Sequence, residues 1–106
     1  MRLAKEFLDF GLYTNNLEGM LDFWQNAVGL PFEEMLPTGG GGRQHRHGLN
    51  GAVMKINHSR DPLPDEPAAA YSELLIRRDG IDEVQRFTDP DGNLVSLVPA
   101  GYRGVT

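Results

Sequence analysis

The sequence predicts an α+β domain, and three observations carry that prediction. Residues 7–13 alternate between two faces, as a strand does. Leu17, Met20, Leu21, Trp24 and Val28 recur at helical spacing directly afterwards. Near the end, "FTDPDGNLVSLV" sets Asp-Pro and Asp-Gly ahead of an apolar run, the signature of a tight hairpin leading into a strand.

Each element follows from local chemistry. In the first strand Leu8, Phe10 and Leu12 fall on one side, with Phe7, Asp9, Gly11 and Tyr13 on the other. Both sides carry apolar groups, so burial on both is expected. Asn15 and Asn16 are N-cap candidates, and Glu18 suits the positive end of the helix dipole. The helix should run over 17–28 and stop at Gly29. Its aromatic pair, Phe23 and Trp24, reads as core rather than as a cofactor platform. Residues 30–36 read as a second strand, and "PTGGGG" as a turn. Residues 43–47 and 52–57 read as two strands joined by "GLNG". The proline-rich "DPLPDEPAAA" is a connector. Residues 71–77 and 94–98 complete the set. The chain thus divides into a first module over 1–60, a linker over 61–70 and a shorter second module over 71–100.

Composition narrows function. The chain has 106 residues and a net charge of −5, with no basic stripe of the kind nucleic acid requires. It has no cysteine, which removes disulfides, zinc–thiolate sites and thiol catalysis. No segment has the length of a membrane span, and the N-terminus lacks an apolar signal core, so a cytoplasmic location is expected. "GGGG" leads into "RQH" rather than Gly-Lys-Ser/Thr, so it is no phosphate loop. "DPDGN" lacks the glycine and glutamate spacing of a calcium loop, and no Gly-x-Ser-x-Gly elbow is present.

Strand, "TNNLEGMLDFW" helix, three strands and a closing "DPDGNLVSL" together resemble the vicinal oxygen chelate superfamily. That group holds the glyoxalases, bleomycin-resistance proteins and extradiol dioxygenases. The resemblance covers nearly the whole chain. It implies paired βαβββ-type modules forming a cupped mixed sheet, the second module shortened here, around a small-molecule cavity. In metal-dependent members four strands each supply a His or Glu ligand. By resemblance those positions fall on Asp9, Lys55, Glu73 and Ser96. An ammonium cannot ligate a metal and a neutral serine is a poor ligand. Lys55 is expected instead to act as an internal countercharge to the carboxylates. The expected function is therefore a small-molecule binding protein without the family's metal or another cofactor. The alternative is a divalent-metal-dependent lyase, isomerase or dioxygenase with an atypical ligand set, either Asp9 with Glu73 or the histidine pair of "RQHRH".

His45 and His47 in that pair share a strand face, and they complete the expected cavity set with Asp9, Tyr13, Lys55, Glu73 and Ser96. His58 is a further candidate base, and no catalytic residue is assigned. Phe7, Tyr13, Tyr71 and Leu75 suggest an apolar or aromatic ligand. A missing helix in the second module leaves Leu74, Ile76, Val95 and Leu97 on one uncovered face. Burying four such side chains contributes about 6–12 kcal/mol, comparable with the whole stability of a domain. These four are expected to be buried only against a partner, with a homodimer as the simplest cover.

Overall fold

A computed structural model describes residues 2–64 and 73–102. The chain forms two compact units, Met1–Pro64 and Asp65–Thr106. Tyr71, expected to face a ligand, lies outside the described residues, as do the first residues of the strand expected over 71–77.

The first unit is strand, helix, three strands: β1 (Phe10–Thr14), α1 (Leu17–Asp22), β2 (Phe32–Thr38), β3 (Gly42–Leu49) and β4 (Ala52–His58). The sheet order is β1-β4-β3-β2, with β1 parallel to β4 and the other pairs antiparallel. Asn16 caps α1, its side chain accepting from Gly19 N at 3.2 Å. From Phe23 to Ala27 the helix widens to π spacing, with Val28 N bonded to Phe23 O at 3.0 Å. Gly29, at φ 87°, ends it. Met20, Trp24 and Val28 bury the helical stripe, and Met54 and Ile56 of β4 are buried with them. Asn50 and Gly51 both take positive φ, which matches the twist of the β3–β4 hairpin. Asn15 fastens the end of β1 to the segment after β4. Its Nδ2 donates to Ser59 O (3.0 Å) and Asp61 O (2.8 Å), and its Oδ1 accepts from Leu63 N (2.8 Å).

Three expectations for this unit need correction. The first strand starts at Phe10, not at residue 7. Asp9 Oδ1 accepts the N–H of Val53 at 3.0 Å, a side chain taking the place of a ladder carbonyl. The parallel pairing therefore begins at Phe10↔Met54. Phe7 turns aside, its ring lying against Gly51. Nor is the strand buried on both sides: Leu8 is 90% exposed and Tyr13 67%. The second strand is shifted by two residues, from 30–36 to Phe32–Thr38. Leu30 instead finishes the helix, its N–H bonded to Trp24 O at 3.0 Å.

The second unit is a three-stranded sheet, β5 (Leu74–Arg78), β6 (Gln85–Thr88) and β7 (Leu94–Pro99), in the order β5-β7-β6. β5 runs parallel to β7, and β6 forms the expected hairpin with it. No helix occurs among its described residues. Leu74, Val95 and Phe87 share one row, and Ile76 and Leu97 the next, so the four apolar residues do share a face. Val95 and Leu97 are nevertheless fully buried within the single chain. The expectation that all four wait for a partner fails for these two, which the chain itself covers. Leu74 and Ile76, on the edge strand, are only half-buried.

Candidate functional site

Strand register assigns each candidate side chain to a sheet face. In the first unit Phe10, Leu12, Met54, Ile56, His45 and His47 share one face, because His45 pairs with Ile56 and His47 with Met54. This is the face under the helix. Gln25 of the helical segment lies 3.1 Å from His47 Nε2. The opposite face carries Gly11, Tyr13, Lys55, Asn57, Gln44, Arg46 and Glu34. The structure thus brings Tyr13 and Lys55 together and places His45 and His47 on the other side of the sheet. The single cavity expected to hold all four does not form in this unit.

The histidines read as structural. His47 is fully buried, and its Nδ1 lies 3.2 Å from Met54 O. A carbonyl only accepts, so Nδ1 carries the proton and Nε2 accepts from Gln25 Nε2. Phe32 packs on both rings, with centroids 6.1 Å from His45 and 5.8 Å from His47. Burial holds both imidazoles below their ordinary pKa, with the nearby Arg43 guanidinium adding to the effect on His45, and the hydrogen bond to Met54 O and then the Glu33 carboxylate partly opposing it on His47. A lowered pKa means that the folded chain refuses protons that the unfolded chain takes up below about pH 6.5. The stability these groups allow is therefore complete above pH 6.5 and is lost as pH falls towards the lower folded values. The urea midpoint should be level above pH 7.5 and decline between about pH 7 and 5. His47→Gln should flatten part of that slope. A profile level down to pH 5 would mean that both rings titrate as they do in water.

On the face opposite the helix, polar side chains join into a ladder. Arg46 Nη1 donates to Gln44 Oε1 at 2.9 Å, and its Nε lies 3.6 Å from Glu34 Oε1. Gln44 Nε2 donates to Asn57 Oδ1 at 2.9 Å, and Asn57 Nδ2 reaches Leu12 O at 3.4 Å. Sequence reasoning missed Gln44, Arg46 and Asn57. The signal was present, since all three alternate with the helix-face residues of β3 and β4. Asp9 precedes β1 and is bonded to Lys5 Nζ at 2.5 Å. That bond is the largest of the interactions that lower its pKa, and attraction to Lys55 is the smallest. The expected countercharge role of Lys55 thus falls mainly to Lys5.

In the second unit Ser96 is 1% exposed and its hydroxyl donates to the Glu73 carboxylate, so these two candidates do meet. Leu75 and Arg86 are the register partners of Ser96, and Leu75 is 42% exposed.

The metal implied by the resemblance does not fit these residues. Lys55 has no lone pair to offer when charged, Asp9 is engaged by Lys5 and Val53, and the Glu73 carboxylate accepts a serine hydroxyl. Among the described residues no group of three or more His, Asp or Glu is arranged to hold a metal ion. No described helix is long and apolar enough to cross a membrane.

No protein-family model and no curated protein sequence matches the chain. Solved structures do. TnmS3, an antibiotic binding protein from Streptomyces sp. CB03234, superposes with a TM-score of 0.63 at 22% identity, covering 92% of this chain and 98% of its own. A glyoxalase/bleomycin resistance protein from the same organism gives 0.59 at 24% identity, with 86% and 97% covered. The fosfomycin resistance protein FosX from Listeria monocytogenes gives 0.69 at 14% identity, with 92% and 93% covered. The chain therefore has the fold of the glyoxalase, bleomycin-resistance and fosfomycin-resistance proteins, the vicinal oxygen chelate fold expected from its motifs.

Proposed function

We propose that this chain binds a small organic molecule directly, without a divalent metal. One observation carries the reading: among the described residues no three His, Asp or Glu side chains are grouped to hold a metal ion. The resemblance adds that the implied ligand positions fall on Lys55, whose ammonium cannot ligate, and Ser96, a poor ligand. Likeness to an antibiotic binding protein supports it. Protein purified without chelators should hold well under 0.1 equivalent of zinc, nickel, iron or manganese. A screen of antibiotics and aromatic compounds by thermal shift should find binders whose effect survives EDTA. At a ligand concentration 100-fold above Kd the stabilisation is about 2.7 kcal/mol. Near one equivalent of metal, lost in Asp9→Ala or Glu73→Ala, would overturn the reading. Metal lost instead in His45→Ala would point to the histidine pair.

The proposal extends to a homodimer through β5. Among the described residues this strand lies at a sheet edge, and Leu74 and Ile76 on it remain half-buried. Edge strands offer unpaired backbone groups to a second chain. Light scattering across a dilution series should give twice the 11.8 kDa chain mass. A monodisperse monomer at micromolar concentration would exclude the dimer.

A further inference from the structure

We infer that the face of the first unit opposite the helix holds an acidic group of the ligand, a carboxylate or phosphonate, between Arg46 and Lys55. This rests on the metal-free binding reading and adds the chemical class of the ligand. Arg46 and Lys55 are register partners on neighbouring strands. Like charges placed directly opposite one another are destabilising. The chain as a whole has 15 acidic and 10 basic residues, so a cation pair here runs against the background. The carboxylates nearby offset it only in part. Glu34 reaches only Arg46 Nε, at 3.6 Å. Asp9 is bonded to Lys5. Among the described residues the Lys55 side chain makes no hydrogen bond or ion pair, and its backbone belongs to the ladder.

The ladder decides which ligand atoms suit this face. Arg46 only donates, so Gln44 Oε1 must accept, which turns Gln44 Nε2 towards Asn57 Oδ1 and Asn57 Nδ2 towards Leu12 O. Each amide oxygen accepts one bond and keeps a second lone pair. The spare donors are Arg46 Nη2, the Lys55 ammonium and the second amide hydrogens of Gln44 and Asn57, and two of these groups are cationic. A surface whose spare donors include two cations fits an oxyanion, which only accepts. Beside it Tyr13, the register partner of Asn57, offers an exposed ring to an aromatic body.

The test is an amide NMR titration with matched pairs, benzoate against benzamide and 2-naphthoate against 2-naphthamide, with phenylphosphonate as a separate arm. The acids should move the amides of Tyr13, Arg46 and Lys55 and bind at least about fivefold tighter than their amides. Lys55→Gln should weaken the acids about tenfold, the size of one charge-assisted hydrogen bond, and the amides less than about twofold. Lys55→Met gives the same readout should the glutamine variant fold poorly. Arg2→Gln removes a cation elsewhere and should change nothing. The phosphonate arm shows which oxyanion is preferred. Acid and amide binding equally on this face would overturn the inference and leave the binding reading standing. Compounds that bind only away from this face would overturn the inference alone, and failure of every compound, here and in the antibiotic screen, to bind at all would overturn both.

Discussion

Replacing Trp24 with alanine is expected to cost about 3–5 kcal/mol, the largest loss from any single truncation in the first unit. Trp24 is fully buried, in the middle of the stripe that joins the helix to Met54 and Ile56. Phe23 meets it edge-on, with centroids 5.5 Å apart. The short α1 and its π-spaced continuation cannot hold themselves in water, since isolated helices below about 12–15 residues are marginal. Their stability is the burial of Met20, Trp24 and Val28. A domain holds about 5–15 kcal/mol in all, so the variant should sit near the edge of folding. Urea unfolding followed by far-ultraviolet circular dichroism measures this, because Trp24 is the sole tryptophan and its fluorescence goes with it. Trp24→Phe, which refills most of the space, should recover the greater part of the loss. A cost under about 1 kcal/mol for the alanine variant would show that the helix is held by something other than this contact.

Much of the fold was legible because its signals are local. Helical spacing from Leu17 to Val28, the Asn16 cap, the Gly29 stop and the Asn-Gly and Asp-Gly hairpins each act within a few residues. The misreadings share one cause. Asp9 gives its carboxylate to a backbone N–H 44 residues away, and Leu30 gives its own N–H to the helix end. Neither bond leaves a trace in periodicity. Val95 and Leu97 were misread for a related reason: alternation shows which residues share a face, and says nothing about what lies over it.

The candidate site was legible as a set of residues more than as an arrangement. Alternation correctly joined His45 to His47, and Gly11 to Tyr13. It could not say which of those groups faces the helix. That depends on β3–β4 register, where a slip of one residue exchanges the two faces. The observed pairing, Arg46↔Lys55 and His47↔Met54, sends the imidazoles to the core and the cations to the opposite side. That Lys55 and Ser96 are not residues suited to hold a metal was plain from the sequence. The donor-rich ladder that stands beside Lys55 was not, because Gln44, Arg46 and Asn57 acquire their meaning only once they are neighbours.

Asp89→Ala should be the most damaging substitution in the second unit, at about 3 kcal/mol. Asp89 is 3% exposed at the turn between β6 and β7. Its Oδ1 accepts the backbone N–H groups of Asp91 (3.0 Å) and Asn93 (2.9 Å), and the Asn93 side-chain amide spans both carboxylate oxygens at 3.1 and 2.9 Å. The backbone closes the same loop through Asp89 N to Asn93 O and Gly92 N to Asp89 O, with Gly92 at φ 90°. Alanine removes a buried acceptor and strands two backbone donors, which costs more than the hydrogen bonds themselves contribute. Asp89→Asn keeps one acceptor oxygen and should lose about 1 kcal/mol, so the pair of variants separates the charge from the turn geometry. The turn also sets the β6–β7 register, Phe87↔Val95 and Arg86↔Ser96. A loosened turn lets that register slip and carries Ser96 away from Glu73. Amide spectra of Asp89→Ala should therefore show Ser96 and Glu73 shifting together with residues 91–93, and urea unfolding should give the cost. A loss below about 1 kcal/mol, with Ser96 unmoved, would show that Gly92 and the strand ladder hold the hairpin without the carboxylate.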